Sequence, residues 1–320
     1  MQSIYNKYDY EAIKLIDDIL PDKIFDGHIH ISLYPFCGAK LFGIEDYKKD
    51  LKPIFGQRYL RGMALAAPTP ELKKSNEYTN MVNFFSEELN SHKDFLGSLL
   101  IRPEQSYDEI LSLINHSRIK CLKCYHTYAK REDTNNADIH EYLSEAALEV
   151  ANKLSLAITV HLVKEHSLSD TNNMKELKDI SKRYSNAKLV LAHSARAFAA
   201  WTAIDSVAEL IPYENIFFDF SAICESPSIM GILKKIGVSR CMWGSDYNVS
   251  MLLGKAISLG DGFYWLREKD ISRMQENANI RPRHIIIENL MAMREVSKLS
   301  DLSQNDIEDL FYNNACKIFE

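Results

Sequence analysis

Five residues combine reactive side-chain types with informative positions: His28, His30, His161, His193 and Asp246. The first two lie in "FDGHIH", two residues apart at the end of a short apolar run. On a strand, a spacing of two turns both imidazoles to the same side. His161 stands near the end of the apolar run "LAITVHL", His193 closes "KLVLAH" and Asp246 closes "RCMWGSD". Neutral imidazoles with a carboxylate are the usual ligands of catalytic zinc or a neighbouring first-row metal. Beside such a metal the pKa of water falls toward neutrality. Asp246 could then take that water's proton and return it to a leaving group, while His193 could hydrogen-bond the water or polarise a substrate oxygen. Each residue alone has a plain structural alternative. A single HxH is a weak metal signal, a histidine ending a strand is commonly held by hydrogen bonds, and "GSD" is a turn. The joint placement at several strand ends favours the metal.

Positioning these residues together requires a particular architecture. Apolar runs predict strands at 23–30, 59–67, 95–101, 119–125, 156–162, 188–193, 216–221 and 240–246. They are continuous more than alternating, as strands of a parallel sheet covered by helices are. Amphipathic segments fill the gaps. In 140–155, Leu143, Ala146, Ala147 and Val150 share one helical face, and the closing segment begins with Ser303 and Asp306 at capping-box positions before an apolar stripe of Ile307, Leu310, Phe311 and Ile318. Eight strands alternating with helices predict an α/β fold, a (β/α)8 TIM barrel, with a doubly wound sheet as the alternative. No Gly-rich phosphate loop follows the first strand. The expected organisation is a single metal-dependent barrel domain over 1–320, with an N-terminal helix within 1–22 and a C-terminal helical extension. The long stretch 248–285 would overhang the barrel face that carries active sites. Tyr264 and Trp265 there read either as packing residues or as part of a cover.

Composition narrows the function. A net charge of -6, with no basic run, argues against nucleic acid or an anionic membrane as partner. No secretory leader pattern opens the chain, and no stretch reaches the roughly 18 apolar residues of a membrane span. The six scattered cysteines read as reduced thiols of a cytoplasmic protein. Cys121 and Cys124 form a CxxC on a predicted strand, where residues three apart face opposite ways, so buried thiols are expected in place of a zinc site.

With these residues in place, the whole chain resembles the amidohydrolase superfamily. More narrowly it resembles the amidohydrolase-related branch that includes aminocarboxymuconate-semialdehyde and resorcylate-type decarboxylases and sugar lactonases. The resemblance rests on "FDGHIH", "VHL" at His161, "LVLAHSA" at His193, "MWGSDYN" at Asp246 and the closing "NNACKIF". It implies that His28, His30, His161 and Asp246 bind one divalent metal, zinc ahead of manganese or iron. It also implies that His193 activates water or substrate and that Asp246 doubles as proton shuttle. Position 248 departs from the branch, which often has Pro where this chain has Asn. Some superfamily members carry a carboxylated lysine on the fourth strand that bridges two metals. Lys123 lies near that place, but in this branch such a lysine is common without bridging, so one metal is expected.

Lys123 on the fourth strand, Tyr125 and His126 at its end, and Arg102 after the third strand are expected to contact substrate. Arg102 would suit a carboxylate through its paired donors. Ser221 and Arg196, the latter on a helix predicted after His193, could shape the pocket or simply cap and pair with neighbours. Three functions remain: metal-dependent hydrolysis of a lactone, ester or C–N bond; non-oxidative decarboxylation with the same residues; or a binding protein whose histidines are structural. A small-molecule substrate is expected, and a homodimer is the default assembly.

Overall fold

The computed structural model describes residues 4–114, 118–260, 262–275 and 278–320. Eight parallel strands stand in sequence order: β1 (Lys23–Ile31), β2 (Tyr59–Ala66), β3 (Phe95–Leu100), β4 (Ile119–Cys124), β5 (Ala157–Val160), β6 (Lys188–Leu191), β7 (Ile216–Asp219) and β8 (Cys241–Met242). The sheet closes where the chain beyond β8 returns to β1. Gly27 N donates to Trp243 O at 3.1 Å, Asp246 N to His28 O at 2.9 Å and His30 N to Tyr247 O at 2.6 Å. The protein is therefore a (β/α)8 barrel, as the runs predicted. The later strands are shorter than their apolar runs because the chain leaves the ladder early to form the mouth.

Phe25, Met63, Leu96, Cys121, Val190 and Met242 fill the barrel interior, as layers of side chains do in this fold. Cys124 belongs to the apolar layer outside the strands, so the CxxC pair does face opposite ways. All six cysteines are free thiols. Lys123 shares the inward parity of Cys121, one layer nearer the mouth, and is completely buried.

Helices cover the outer face, and their ends are locally specified. Asn6 caps Lys7–Ile16, Ser144 caps Glu145–Leu154 and Asp170 caps Thr171–Arg183, each accepting backbone N–H groups through its side chain. The N-terminal helix thus occupies the middle of 1–22, of which residues 1–3 lie outside the described set. Helix 140–155 is shorter than its pattern and starts at the Ser144 cap. Ser303 and Asp306 form the expected capping box, and the stripe that follows is buried, with a π-turn at Asp309–Asn313.

Two connections differ from expectation. The stretch 248–285, apart from residues 261, 276 and 277, which lie outside the described set, is not a plain loop. It holds an antiparallel hairpin, β9 (Gly254–Leu259) with β10 (Gly262–Arg267), followed by helix Glu268–Gln275. Gly254 is required there, because a Cβ would meet Leu266 O at 2.1 Å. After β6 no ordinary helix begins at His193. His193, Ser194, Ala195 and Arg196 all have positive φ, between 47° and 62°, and form a left-handed turn. For L-residues each such position costs about 1–2 kcal/mol. Bonds from Ser194 Oγ to Asp219 O and from Ala197 N to His193 O hold the turn.

Candidate metal centre

The site begins with a bulge. The pairing of β1 with β2 shifts between Asp26 and Ile29, and such irregularities re-aim side chains. Asp26, the first polar residue of "FDGHIH", stabilises it. Its carboxylate accepts His28 N at 3.0 Å, Ser245 N at 2.8 Å and Tyr47 Oη at 2.9 Å. It thereby ties the first strand to the turn that carries Asp246. Burial pushes the Asp26 carboxyl up to about 7 against the lowering effect of those donors.

His28 and His30 then point into the mouth with their Nε2 atoms 3.3 Å apart. Asp246 Oδ1 lies 3.6 Å from the first and 3.3 Å from the second. Donor atoms of these three buried residues all lie within 4.8 Å of one another. Asp219, at the end of β7, accepts from His28 Nδ1 at 2.6 Å, so the His28 proton sits on Nδ1 and its Nε2 presents a lone pair to the cluster. Asp246 Oδ1 is buried with no hydrogen-bond partner. Converging lone pairs and an unpartnered carboxylate oxygen repel one another unless a cation lies between them, and the set matches a divalent metal's preferences. Gly244 permits the approach: a Cβ there would meet His28 Cβ at 2.8 Å and Asp219 Oδ1 at 2.9 Å.

Around this cluster Asp219 anchors a polar network. Ser221 donates its N–H to Asp219 Oδ1 at 2.7 Å and its hydroxyl to Asp219 Oδ2 at 2.8 Å. The Ser221 proton being committed, His193 Nδ1 donates to Ser221 O at 3.0 Å. His193 Nε2 is left as an acceptor, with the ring stacked 5.1 Å from that of His28. Burial holds His193 down to about 4 and His30 to about 3, so both are neutral, and lifts Asp246 to about 6 against the pull of His193.

His161, the fourth expected ligand, is not within the three-residue cluster. It stands beside it in the same cavity, its ring 5.4 Å from His193 and 4.5 Å from Tyr125, with a buried Nδ1 that has no partner. Tyr125 and His126 also line this cavity of about 240 Å³. Lys123 does not: it lies beneath, fully buried, with its Nζ unpartnered and its pKa lowered by burial. Arg102 lies outside this cavity. Its guanidinium stacks 4.5 Å over Tyr78 and pairs with Glu104 at 3.3 Å on a separate part of the rim, because β3 ends before the chain reaches the cavity. Instead Arg196 and Arg267 line it. Trp265 lines it too, whereas Tyr264 is exposed. Asp219, Asp26 and Arg267 carried no expectation. The charge ending "IFFD" in an otherwise apolar run was the available signal for the first.

The amidohydrolase family model matches residues 26–320. No curated protein matches the chain. Among solved structures, an amidohydrolase from Burkholderia multivorans with bound zinc superposes with a TM-score of 0.62 at 13% identity, covering 93% of this chain and 99% of that one. The 5-carboxyvanillate decarboxylase of Novosphingobium aromaticivorans, complexed with manganese and 4-hydroxy-3-methoxy-5-nitrobenzoic acid, gives 0.59 at 11% identity over 93% and 96%. A 2,6-dihydroxybenzoate decarboxylase complexed with 2,6-dihydroxybenzoate gives 0.57 at 10% identity over 93% and 99%. At such identities these likenesses speak for the barrel, and the match over residues 26–320 speaks for the family. Barrel, histidine pair and sequence match agree: the chain belongs to the amidohydrolase family.

Proposed function

We propose that this chain is a metal-dependent hydrolase acting on a lactone, an ester or a C–N bond of a small molecule. The observation that carries the reading is the convergence of His28, His30 and Asp246 on one point of the mouth. Those residues would hold the metal, with His161 as the fourth donor expected from sequence. Zinc is the first choice, as in the B. multivorans neighbour, with manganese or iron as alternatives. When bound, a divalent metal supplies Lewis acidity toward a substrate oxygen and draws the pKa of water toward neutrality.

The chain's own residues do the rest. His193, with its proton fixed on Nδ1, accepts a hydrogen bond at Nε2 and so orients a water. Asp246 accepts a proton from the attacking water and passes it to the leaving group. Asp219 holds the His28 ring in one tautomer, and Tyr125 and His126 wall the cavity and contact substrate. Lys123 adds a positive group beneath the cluster when protonated and stands behind the ligands. The whole chain, 1–320, would act as one catalytic domain, in a reducing cytoplasm that suits its free thiols, with a homodimer as the default assembly.

The decarboxylases among the structural neighbours favour a second reading, in which a protonated Asp246 delivers a proton to carbon and carbon dioxide leaves. Product analysis separates the two. Metal-reconstituted protein is incubated with panels of lactones, esters, amides and aromatic acids while acid release and carbon dioxide are both followed. Hydrolysis predicts acid release without carbon dioxide. Carbon dioxide in step with substrate loss would replace hydrolysis by decarboxylation, and no turnover on any panel would contradict both.

A further inference from the structure

The far wall of the cavity carries two positive charges that no group among the described residues pairs with. Arg196 and Arg267 both line it, and neither has an ion-pair partner among the described residues. Asp246 is the one carboxylate lining this cavity among the described residues, and it is turned toward the two histidines. Many other arginines of the molecule are paired, Arg58 with Asp17, Arg102 with Glu104, Arg131 with Glu141 and Arg283 with Glu288, and Arg118 and Arg240 donate to backbone carbonyls.

Both cavity arginines are held in place by aromatic rings, which leaves their N–H edges available. The Arg196 guanidinium lies 5.2 Å from the Phe263 ring centroid and that of Arg267 lies 5.3 Å from Trp265. Phe198 joins the two, with its ring 4.9 Å from both Phe263 and Trp265 and 5.5 Å from His193. The wall therefore runs unbroken from the candidate metal centre to the hairpin. Two local devices create it. The left-handed turn after β6 delivers Arg196, and the strand period of two sets Phe263, Trp265 and Arg267 on one side of β10, with Tyr264 exposed on the other. A guanidinium stacked on a ring is weakly hydrated, and one taken out of water without a counter-charge is unfavourable until an anion arrives. Burial accordingly lowers the Arg196 pKa from its ordinary value.

From this wall we infer that Arg196 and Arg267 form an anion clamp that selects a planar, carboxylate-bearing substrate, its carboxylate on the guanidiniums and its flat body against Phe198 and Trp265. The inference rests on the reading of this cavity as the substrate site and names the class of molecule it takes. Arg102, which the sequence suggested for this task, lies elsewhere on the rim. The hairpin is then a specificity element, contributing half of the charge and much of the apolar surface.

Binding to metal-free protein tests this apart from the metal chemistry. Isophthalate and its uncharged counterpart isophthalamide are titrated calorimetrically into chelator-treated wild type and into Arg196→Gln, Arg267→Gln, the double variant and Arg102→Gln. Circular dichroism confirms the fold of each. Charge-assisted bonds of this kind predict a preference for the acid of about tenfold or more, a loss of about tenfold in each single variant and no preference in the double variant. Arg102→Gln is expected to match wild type. Arg196→Lys and Arg267→Lys, which keep the charge without the planar fork, are expected to retain part of the preference and serve where a glutamine variant fails to fold. Equal binding of acid and amide, no acid binding at millimolar concentration, or a preference that survives the double variant would each overturn the clamp. Since no metal is present, none of these outcomes depends on whether the enzyme is a hydrolase.

Discussion

On the β1, β7 and β8 side of the mouth, polar groups are tied to one another: Asp26 to Tyr47 and Ser245, Asp219 to His28 and Ser221, His193 to Ser221. On the side of β4, β5, the left-handed turn and the hairpin, groups are left with capacity to spare. His161 Nδ1 has no partner, and Arg196 and Arg267 lie against aromatic faces with no ion-pair partner among the described residues. Hydrogen bonds of this kind fix side chains in single orientations, which ligands of a metal require. A wall of unpaired donors stores recognition for a molecule that is not part of the protein. The two halves therefore divide positioning from selection.

The comparison breaks most visibly at Asp219. Asp219→Asn places a donor where Ser221 N–H now donates and weakens the hold on His28. A metal-competition titration should show affinity reduced about 10- to 100-fold. Unchanged affinity would mean that the bonded wall does not set the ligand geometry.

Acid stability is the next largest effect. Burial lowers the pKa of His28, His30, His126, His161 and His193 and raises that of Asp26, Asp219 and Asp246. Between about pH 4.5 and 6 the unfolded chain binds protons on those five imidazoles, ordinary pKa about 6.5, that the folded protein refuses. The folded protein keeps protons on Asp26 and Asp246, held up to about 7 and about 6, which the unfolded chain has released. The imidazoles outnumber the carboxyls, so metal-free protein loses stability as pH falls through this window, by roughly 1.4 kcal/mol per pH unit for each net proton. Thermal melts should show Tm rising from pH 4.5 to 6, more steeply in Asp246→Asn and less steeply in His126→Gln. The reverse order would contradict the burial account.

A smaller effect tests the turn that delivers Arg196. Ala195 and Ala147 are both completely buried, but only Ala195 has positive φ. In the helix Glu145–Leu154, Ala147→Gly should cost about 1 kcal/mol or more, whereas at Ala195 the relief of left-handed strain offsets the same loss and the net change stays near zero. Urea unfolding of both variants reads the difference, and equal losses would remove the strain argument.

What could be read from sequence follows the same division. The strands and the convergence of His28, His30 and Asp246 were legible because a parallel barrel brings strand ends to one mouth and a spacing of two fixes sidedness. Asp219 was visible only as a charge ending an apolar run. Arg196 and Arg267 were obscured by the connections that place them. "HSAR" contains no glycine to announce a left-handed turn, and the hairpin's register, not its composition, decides that Trp265 and Arg267 face the cavity. Arg102 lies over Tyr78 on a separate part of the rim, since strand-end position alone does not say which way a long side chain leaves it.

The most direct test of the central claim is the metal content of wild type, His28→Ala and His30→Ala by plasma mass spectrometry, after purification without chelator or histidine tag. The account predicts one divalent metal per wild-type chain and little in either variant, with circular dichroism unchanged. Equal metal in all three, or none in wild type after incubation with metal and dialysis, would contradict it.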